Sequence, residues 1–254
     1  MRQTNTRHFP IVHGTYGQLL AQLDAWRTDG GRHVVCFCDA NGLSRAWCCD
    51  VELRAAYARA DAVCPDGVSA AWMARLSGGV DTKRLVGPEV FARALSFGVA
   101  RGWRHYLYGT DGTTLEALKT NVERRWPGVR IVGMFAPEFS EDPPPPPIEK
   151  GAVDFLWVAL GCPKQEKWCV RHRADVEAPV LLAVGAAFDF LAGTAREAPR
   201  FVQALGLCWL WRLLTGGRRV RIRNARCVVA SLLVLFREWC FLKGLRKRRA
   251  DYAG

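Results

Sequence analysis

Apolar positions fall along this chain in two rhythms. The first is the short unbroken run, seen in "HVVCFCD" (33–39), "DFLWVAL" (154–160) and "APVLLAVG" (178–185). Runs of that length, apolar on both faces, belong to interior strands of a parallel sheet. "WRHYLYG" (103–109) and "VRIVGMF" (129–135) read as further strands, and "AVCPDG" (62–67) as a strand end followed by a turn. The second rhythm places apolar residues three and four apart. It predicts helices over "TYGQLLAQLDAWRTDG" (15–30), "LRAAYARA" (53–60), "VSAAWMARLSGG" (68–79) and "TTLEALKTNVERRW" (113–126). A further helix falls at about 88–101, one follows the run 154–160, and the chain after residue 185 is mostly helical.

Strands alternating with helices at this spacing give an α/β fold, a doubly wound, Rossmann-like and mostly parallel sheet. "EDPPPPPIEK" (141–150) interrupts the alternation as a stiff extended connector. It is read as a surface loop within a core of residues 1–214, because either half alone supplies too few strands. Residues 215–254 form a basic, amphipathic, helical appendage. No G-x-G-x-x-G follows a strand, which disfavours a nicotinamide-binding protein.

Charge sharpens the division. The net charge is +12, and the segment from Thr215 to Gly254 carries +9 of it, eleven Lys or Arg against Glu238 and Asp251. The ten cysteines form no C-x-x-C and several lie in apolar runs, so they read as buried thiols of a reducing cytosol. The five histidines are scattered without metal-ligand spacing, and neither a metal nor another cofactor is expected. "MRQTNTRHFPIVHGTYGQ" lacks the apolar core of a signal peptide, and no run reaches the length of a membrane span. The expected location is cytoplasmic.

Candidate chemistry gathers where strands hand over to helices. Asp66 and Gly67 follow the run at 62–65; they are a turn and helix cap, or a carboxylate at the sheet's carboxyl edge able to act as general base. Asp39 and Asn41 repeat that placement in "CDANGL", and Gly109 in "YGTDGTT" offers backbone N–H groups to a phosphate. "GCPKQEKW" (161–168) puts Lys164 and Gln165 in the first turn of a helix, where its dipole and the ammonium attract anions; a solvated helix start is the plainer reading. Gly185 ends the run 178–185, and Asp189 and Arg196 follow it. Asp189 stands among Phe188, Phe190 and Leu191, where a carboxylate needs a partner. Trp209, Trp211 and Leu213 read as core packing.

In order along the chain, "PDGVSAAWMARL", "RLVGPEVF", "GCPKQEKW" and "GAAFDFLAGTAREAPRFVQALGL" resemble the WecG/TagA/CpsF family of bacterial glycosyltransferases, over about residues 9–223. The resemblance implies transfer of a sugar from a UDP-sugar donor, with inversion and without an essential metal. The implied acceptor is a sugar linked to polyprenyl diphosphate, in the synthesis of a cell-surface polysaccharide. It makes Asp66 the catalytic base, with Asn41 beside it. Asp39, Gly109, Lys164, Gln165, Gly185, Asp189 and Arg196 become the substrate-binding set. Three positions depart from the family pattern: Asp39 stands for a threonine, Leu191 for a histidine and Cys208 for a glutamate. The chain has no D-x-D motif to hold a metal on the leaving diphosphate, so cationic side chains and helix dipoles take that task. Arg218, Arg219, Arg221 and Arg223, where the family's appendage begins, are placed on the diphosphate.

The tail runs "CVVASLLVLF" (227–236), then "WCFL" and a basic cluster. A helix in the membrane interface fits it, with Trp239 and Phe241 at the lipid boundary and Lys243 to Arg249 on anionic headgroups. That places the protein peripherally on the inner face of the cell membrane. The alternative is a basic nucleic-acid- or membrane-binding module without catalysis. No nucleic-acid recognition motif is present, and the tail's apolar content favours lipid over a phosphate backbone.

Overall fold

The structure, a computed structural model, describes residues 1–79, 82–195, 198–199, 202, 210–211, 214 and 218–253. Of these, 218–221, 223–224 and 244–253 are described by their backbone. The chain opens with β1 (Arg2–Asn5), β2 (Pro10–His13), α1 (Tyr16–Trp26), β3 (His33–Cys38), α2 (Ala40–Cys48) and α3 (Val51–Arg59). It continues through β4 (Ala62–Pro65), α4 (Val68–Leu76), α5 (Gly87–Val99), β5 (Arg104–Gly109), α6 (Gly112–Arg125) and β6 (Arg130–Phe135). Then come β7 (Phe155–Ala159), α7 (Lys164–Arg171), β8 (Val180–Ala183), α8 (Ala187–Ala192) and a long terminal helix, α9 (Arg218–Ala253).

Six strands form one sheet in the order β4-β3-β8-β7-β5-β6, with every pairing parallel. Alternation along β3 shows why it needs cover on both sides. Val34, Cys36 and Cys38 face one layer and Val35 and Phe37 the other, all buried. The first layer contains α2, α3, α4, α7 and the buried stripe of α9; the second contains α1, α5, α6 and α8. Trp168, Tyr57 and Tyr108 fill the first, and Trp103, Trp157, Phe91 and Phe188 the second. The doubly wound expectation therefore holds.

Three elements escaped the sequence reading. β1 and β2 pair antiparallel, Arg2 opposite His13, from a stretch too polar to announce a strand. α2 is built from "ANGLSRAWC", poor in strong helix formers. It forms because Asp39 accepts the Gly42 N–H at 2.8 Å and because Leu43 and Ala46 turn into the core.

The proline run makes the β6-to-β7 crossing without a helix. Pro143 carbonyl accepts from Trp168 Nε1 at 2.8 Å, and Pro144 carbonyl from the Tyr108 hydroxyl at 2.6 Å. Prolines bring carbonyls but no N–H, so the connector lies against the helical layer while leaving few donors to satisfy. The nine described cysteines are thiols; Cys36, Cys38, Cys64 and Cys169 are buried, while Cys48, Cys49 and Cys240 are exposed, against the expectation of burial. Those three stand on or beside helix surfaces rather than in strands. No helix among the described residues is long and apolar enough to cross a membrane.

α9 packs against α2 and α4. Ser231, Val234, Leu235 and Glu238 are buried there, a spacing that marks one helical stripe. Val229, Leu232, Leu233, Phe236, Trp239 and Phe241 remain exposed. The apolar helix thus has a partner on one side, which the sequence reading did not foresee; among its exposed apolar residues, Phe241 has the Arg7 guanidinium 4.5 Å from its ring centre.

Candidate active site

The carboxyl ends of β4, β3, β8, β7 and β5 lie side by side, each running into a tight turn and a helix. Open α/β sheets bind ligands along that edge, where the strand order reverses. Here β3 sends the chain outward to β4, and the chain then crosses to the other side of β8 and β7 to form β5.

At one end, the turns after β3 and β4 are stitched together. Asp66 and Gly67 both donate their N–H to Cys38 carbonyl, at 3.0 and 3.2 Å. A Cβ on Gly67 would lie 3.1 Å from Ala40 N and 3.2 Å from Asp39 Cα, a tight fit against backbone that favours glycine there. Asp66 Oδ1 accepts the Gly87 N–H at 3.2 Å, which sets its carboxylate at the start of α5. Arg84 Nε donates to Asp66 carbonyl at 2.9 Å, and the Tyr16 hydroxyl accepts the Val86 N–H at 3.2 Å. Asp39 is the N-cap of α2, a duty threonine performs as well, which gives a physical reason for that departure from the family pattern. Asn41 stands between two thiols: its Nδ2 donates to Cys162 Sγ at 3.6 Å, and Oδ1 accepts from Cys227 Sγ of α9 at 3.4 Å.

The middle of the edge is the turn after β7. Gln165 is buried and its amide is spent on neighbours: Oε1 accepts the Gly161 N–H at 3.1 Å, and Nε2 donates to Ala183 carbonyl and to Glu166 Oε1, both at 3.1 Å. It packs against Gly185, where a Cβ would come within 3.0 Å of Gln165 Oε1. Lys164 donates to Ser140 carbonyl and lies 5.2 Å from the Phe139 ring centre, tying α7 to the segment that leads into the prolines. α4 and α7 begin at this edge without a side-chain cap, although in α7 the Gln165 N–H is taken by Gly161 carbonyl at 3.0 Å.

At the far end, Gly109 has φ +114 and a Cβ there would meet Ala159 carbonyl at 2.4 Å. Asp111 caps α6, accepting from Thr114 N at 2.9 Å and Thr114 Oγ1 at 2.7 Å. Those bonds hold its carboxyl below the ordinary range. Asp189 on α8 is half-buried; burial raises its carboxyl above the ordinary range, the Thr194 hydroxyl opposes this, and the charge of Asp111 adds to it.

The edge therefore brings together the turns that carry Asp66, Asp39 and Asn41, and separately sets Asp189 within the field of Asp111, two residues after Gly109. Four strand spacings, about 19 Å, part the β4 end from the β5 end. Lys164, Gln165 and Gly185 occupy the middle. Arg196, Cys208, Trp209, Leu213 and the side chains of Arg218, Arg219, Arg221 and Arg223 lie outside the described residues. Trp211 is half-buried. Sequence reasoning missed Arg84, Tyr16 and Glu166. Arg84 and Glu166 stand inside the quoted motifs "RLVGPEVF" and "GCPKQEKW", so a signal existed; Tyr16 had none.

A family model described as "Glycosyl transferase WecG/TagA/CpsF family" matches residues 5–245. The N-acetylglucosaminyldiphosphoundecaprenol N-acetyl-beta-D-mannosaminyltransferase of Bacillus subtilis (strain 168) is 27% identical over 154 residues, 60% of this chain and 60% of that protein. The protein of the same name from Bacillus spizizenii is 29% identical over 164 residues, 64% of this chain and 63% of its own length. That from Staphylococcus aureus (strain NCTC 8325 / PS 47) is 24% identical over 138 residues, 54% of each. The matched region thus spans less than two thirds of each of these relatives.

Proposed function

This chain belongs to the WecG/TagA/CpsF family of glycosyl transferases, and on that premise we propose that it moves a hexose or N-acetylhexosamine from a UDP-sugar to a polyprenyl-diphosphate-linked sugar, with inversion. The product belongs to a bacterial cell-surface polysaccharide. The observation that carries the reading is the Asp66 carboxylate at the sheet's carboxyl edge, in a turn stitched to Cys38 carbonyl and held at the start of α5. Relatives named for transfer of N-acetylmannosamine to N-acetylglucosaminyl-diphosphoundecaprenol support an N-acetylhexosamine donor and a lipid-diphosphate acceptor.

In this mechanism Asp66 takes the proton from the acceptor hydroxyl as its oxygen attacks the anomeric carbon from the face opposite the leaving group. The carbon–oxygen bond to UDP breaks, and the diphosphate carries the departing charge. The uncapped starts of α4 and α7, Lys164, and the arginines of the first turns of α9 answer that charge. Asn41 orients the acceptor beside the base. An edge about 19 Å long suits an extended nucleotide-sugar rather than a compact ligand. Gly185 and Gly109 let the backbone approach it, and Asp39, Gln165, Asp189 and Arg196 shape its pocket.

The exposed apolar residues of α9 and the basic run Lys243 to Arg249 in the sequence support the reading that the protein lies peripherally on the inner face of the cell membrane, where such an acceptor is presented. Each Lys or Arg near an anionic surface contributes about 1 kcal/mol. A nucleic-acid role is disfavoured because the stripe beside those charges is apolar.

The test is incubation of the full chain with a panel of UDP-sugars and a synthetic polyprenyl-diphosphate N-acetylglucosamine. Transfer from one of the panel with an inverted anomeric centre is expected, undiminished by excess EDTA. Failure of every donor overturns the reading, and loss on chelation restored by Mg²⁺ or Mn²⁺ overturns the account of the leaving group.

A further inference from the structure

Glu166 is fully buried in the first turn of α7, beneath the turns that form the site. One carboxyl oxygen, Oε1, accepts the second N–H of the Gln165 amide at 3.1 Å; the other is buried without a hydrogen bond in the structure. The titratable groups facing it are Asp39 at the start of α2, Cys36 and Cys38 of β3, Tyr57 of α3, Cys162 of the turn and Cys169 of α7. No cation is among them. Isolated carboxylates are not kept in such surroundings; the group stays neutral instead. Burial first, then the charge of Asp39, raises its carboxyl to about 7.

Gln165 joins the turn after β7, through Gly161 N–H, to the turn after β8, through Ala183 carbonyl, and touches Gly185. These two turns form the middle of the edge. We propose that Glu166 is a positioning residue that locks the Gln165 amide across them, and so holds the crevice that receives the donor's diphosphate. The inference rests on the glycosyltransfer reading for the identity of that ligand. Deleting the carboxyl leaves an amide N–H unpaired in a buried place, where such a group is strongly disfavoured. A glutamine at 166 keeps an acceptor for Gln165 and stays neutral at every pH.

The experiment measures UDP affinity by calorimetry from pH 6 to 8.5, with melting temperature, for the parent, Glu166→Gln, Glu166→Ala, Gln165→Ala and the double alanine variant. At pH 6 the glutamine variant should bind UDP like the parent. Above pH 7 the parent should keep its affinity, because an ionised carboxylate accepts the Gln165 N–H at least as well, and the glutamine variant should track it across the range. Glu166→Ala should lose about tenfold, equivalent to one unsatisfied buried group; Gln165→Ala, which also frees the Gly161 N–H and the Ala183 carbonyl, should lose at least as much, and the double variant should lose little more than Gln165→Ala. A glutamine variant as impaired as the alanine one at every pH overturns the proposal, as does an alanine variant that binds like the parent. If the parent itself binds no UDP, the donor reading fails, and the melting temperatures decide the positioning role separately. Non-additive losses for 165 and 166 then support it, and additive ones overturn it.

Discussion

On the proposed mechanism Asp66 has two duties, since the carboxylate assigned to the acceptor proton also accepts the Gly87 N–H. Asparagine keeps an oxygen for that bond and loses the basicity. Asp66→Asn should therefore lower turnover about 10²–10⁴-fold, the usual worth of a general base, with melting and UDP affinity nearly unchanged. A variant within a few-fold of the parent in single-turnover assays removes Asp66 from the role. Gly109 makes a different demand. Its φ of +114, and the 2.4 Å that would separate a Cβ there from Ala159 carbonyl, both exclude a side chain. Gly109→Ala should cost about 1–3 kcal/mol for backbone strain alone, before any displacement of β7, read as a fall in the urea midpoint.

Among the elements, α9 carries two opposed stripes, and they make separable predictions. Leu235 lies in the buried stripe against α2 and α4, while Leu233 and Phe236 are 58% and 60% exposed. Leu233→Asp with Phe236→Asp should abolish sedimentation with anionic vesicles and leave the melting temperature near that of the parent. Leu235→Asp should instead destabilise the fold, because it buries a charge in an apolar contact. Vesicle binding that survives the first pair of substitutions shows that the interfacial helix is misplaced. The same dual packing explains why removing α9 outright is a poor test: it would uncover the faces of α2 and α4.

For the whole molecule, two buried groups set the pH dependence of stability from opposite sides. His105 is fully buried and its Nδ1 accepts from Trp157 Nε1 at 3.0 Å. Burial lowers its pKa to about 3 from 6.5, with Asp154 opposing. A lowered value favours the fold above pH 6.5, and that stability is lost as pH falls toward 3. Glu166, raised to about 7 from 4.5, does the reverse: its contribution is full below 4.5 and is lost as pH rises through 7. Between 4.5 and 6.5 the two slopes oppose, each at most about 1.4 kcal/mol per pH unit. A plateau is expected there, with losses on either flank. Urea midpoints from pH 3.5 to 8 should show His105→Gln flattening the acid flank above pH 4, and Glu166→Gln the other. An acid flank unchanged by His105→Gln would assign it to the carboxylates instead.

The sequence by itself determined the alternation of strands and helices, the parallel sheet and the turns where chemistry gathers. Continuous runs such as "FLWVA" are buried on both faces, and glycines at 67, 109 and 185 mark where the chain must turn or approach closely. Local pattern carries that information because burial and backbone freedom act residue by residue. The helix at 40–48 and the hairpin at 2–13 were not legible, since the first depends on a cap and core contacts and the second on pairing between strands. Only the tertiary structure decided that Gln165 spends its amide on two turns, that Glu166 lies buried among thiols, and that α9 covers α2 and α4. Each of those depends on which strands become neighbours, and the order β4-β3-β8-β7-β5-β6 brings together residues more than a hundred positions apart.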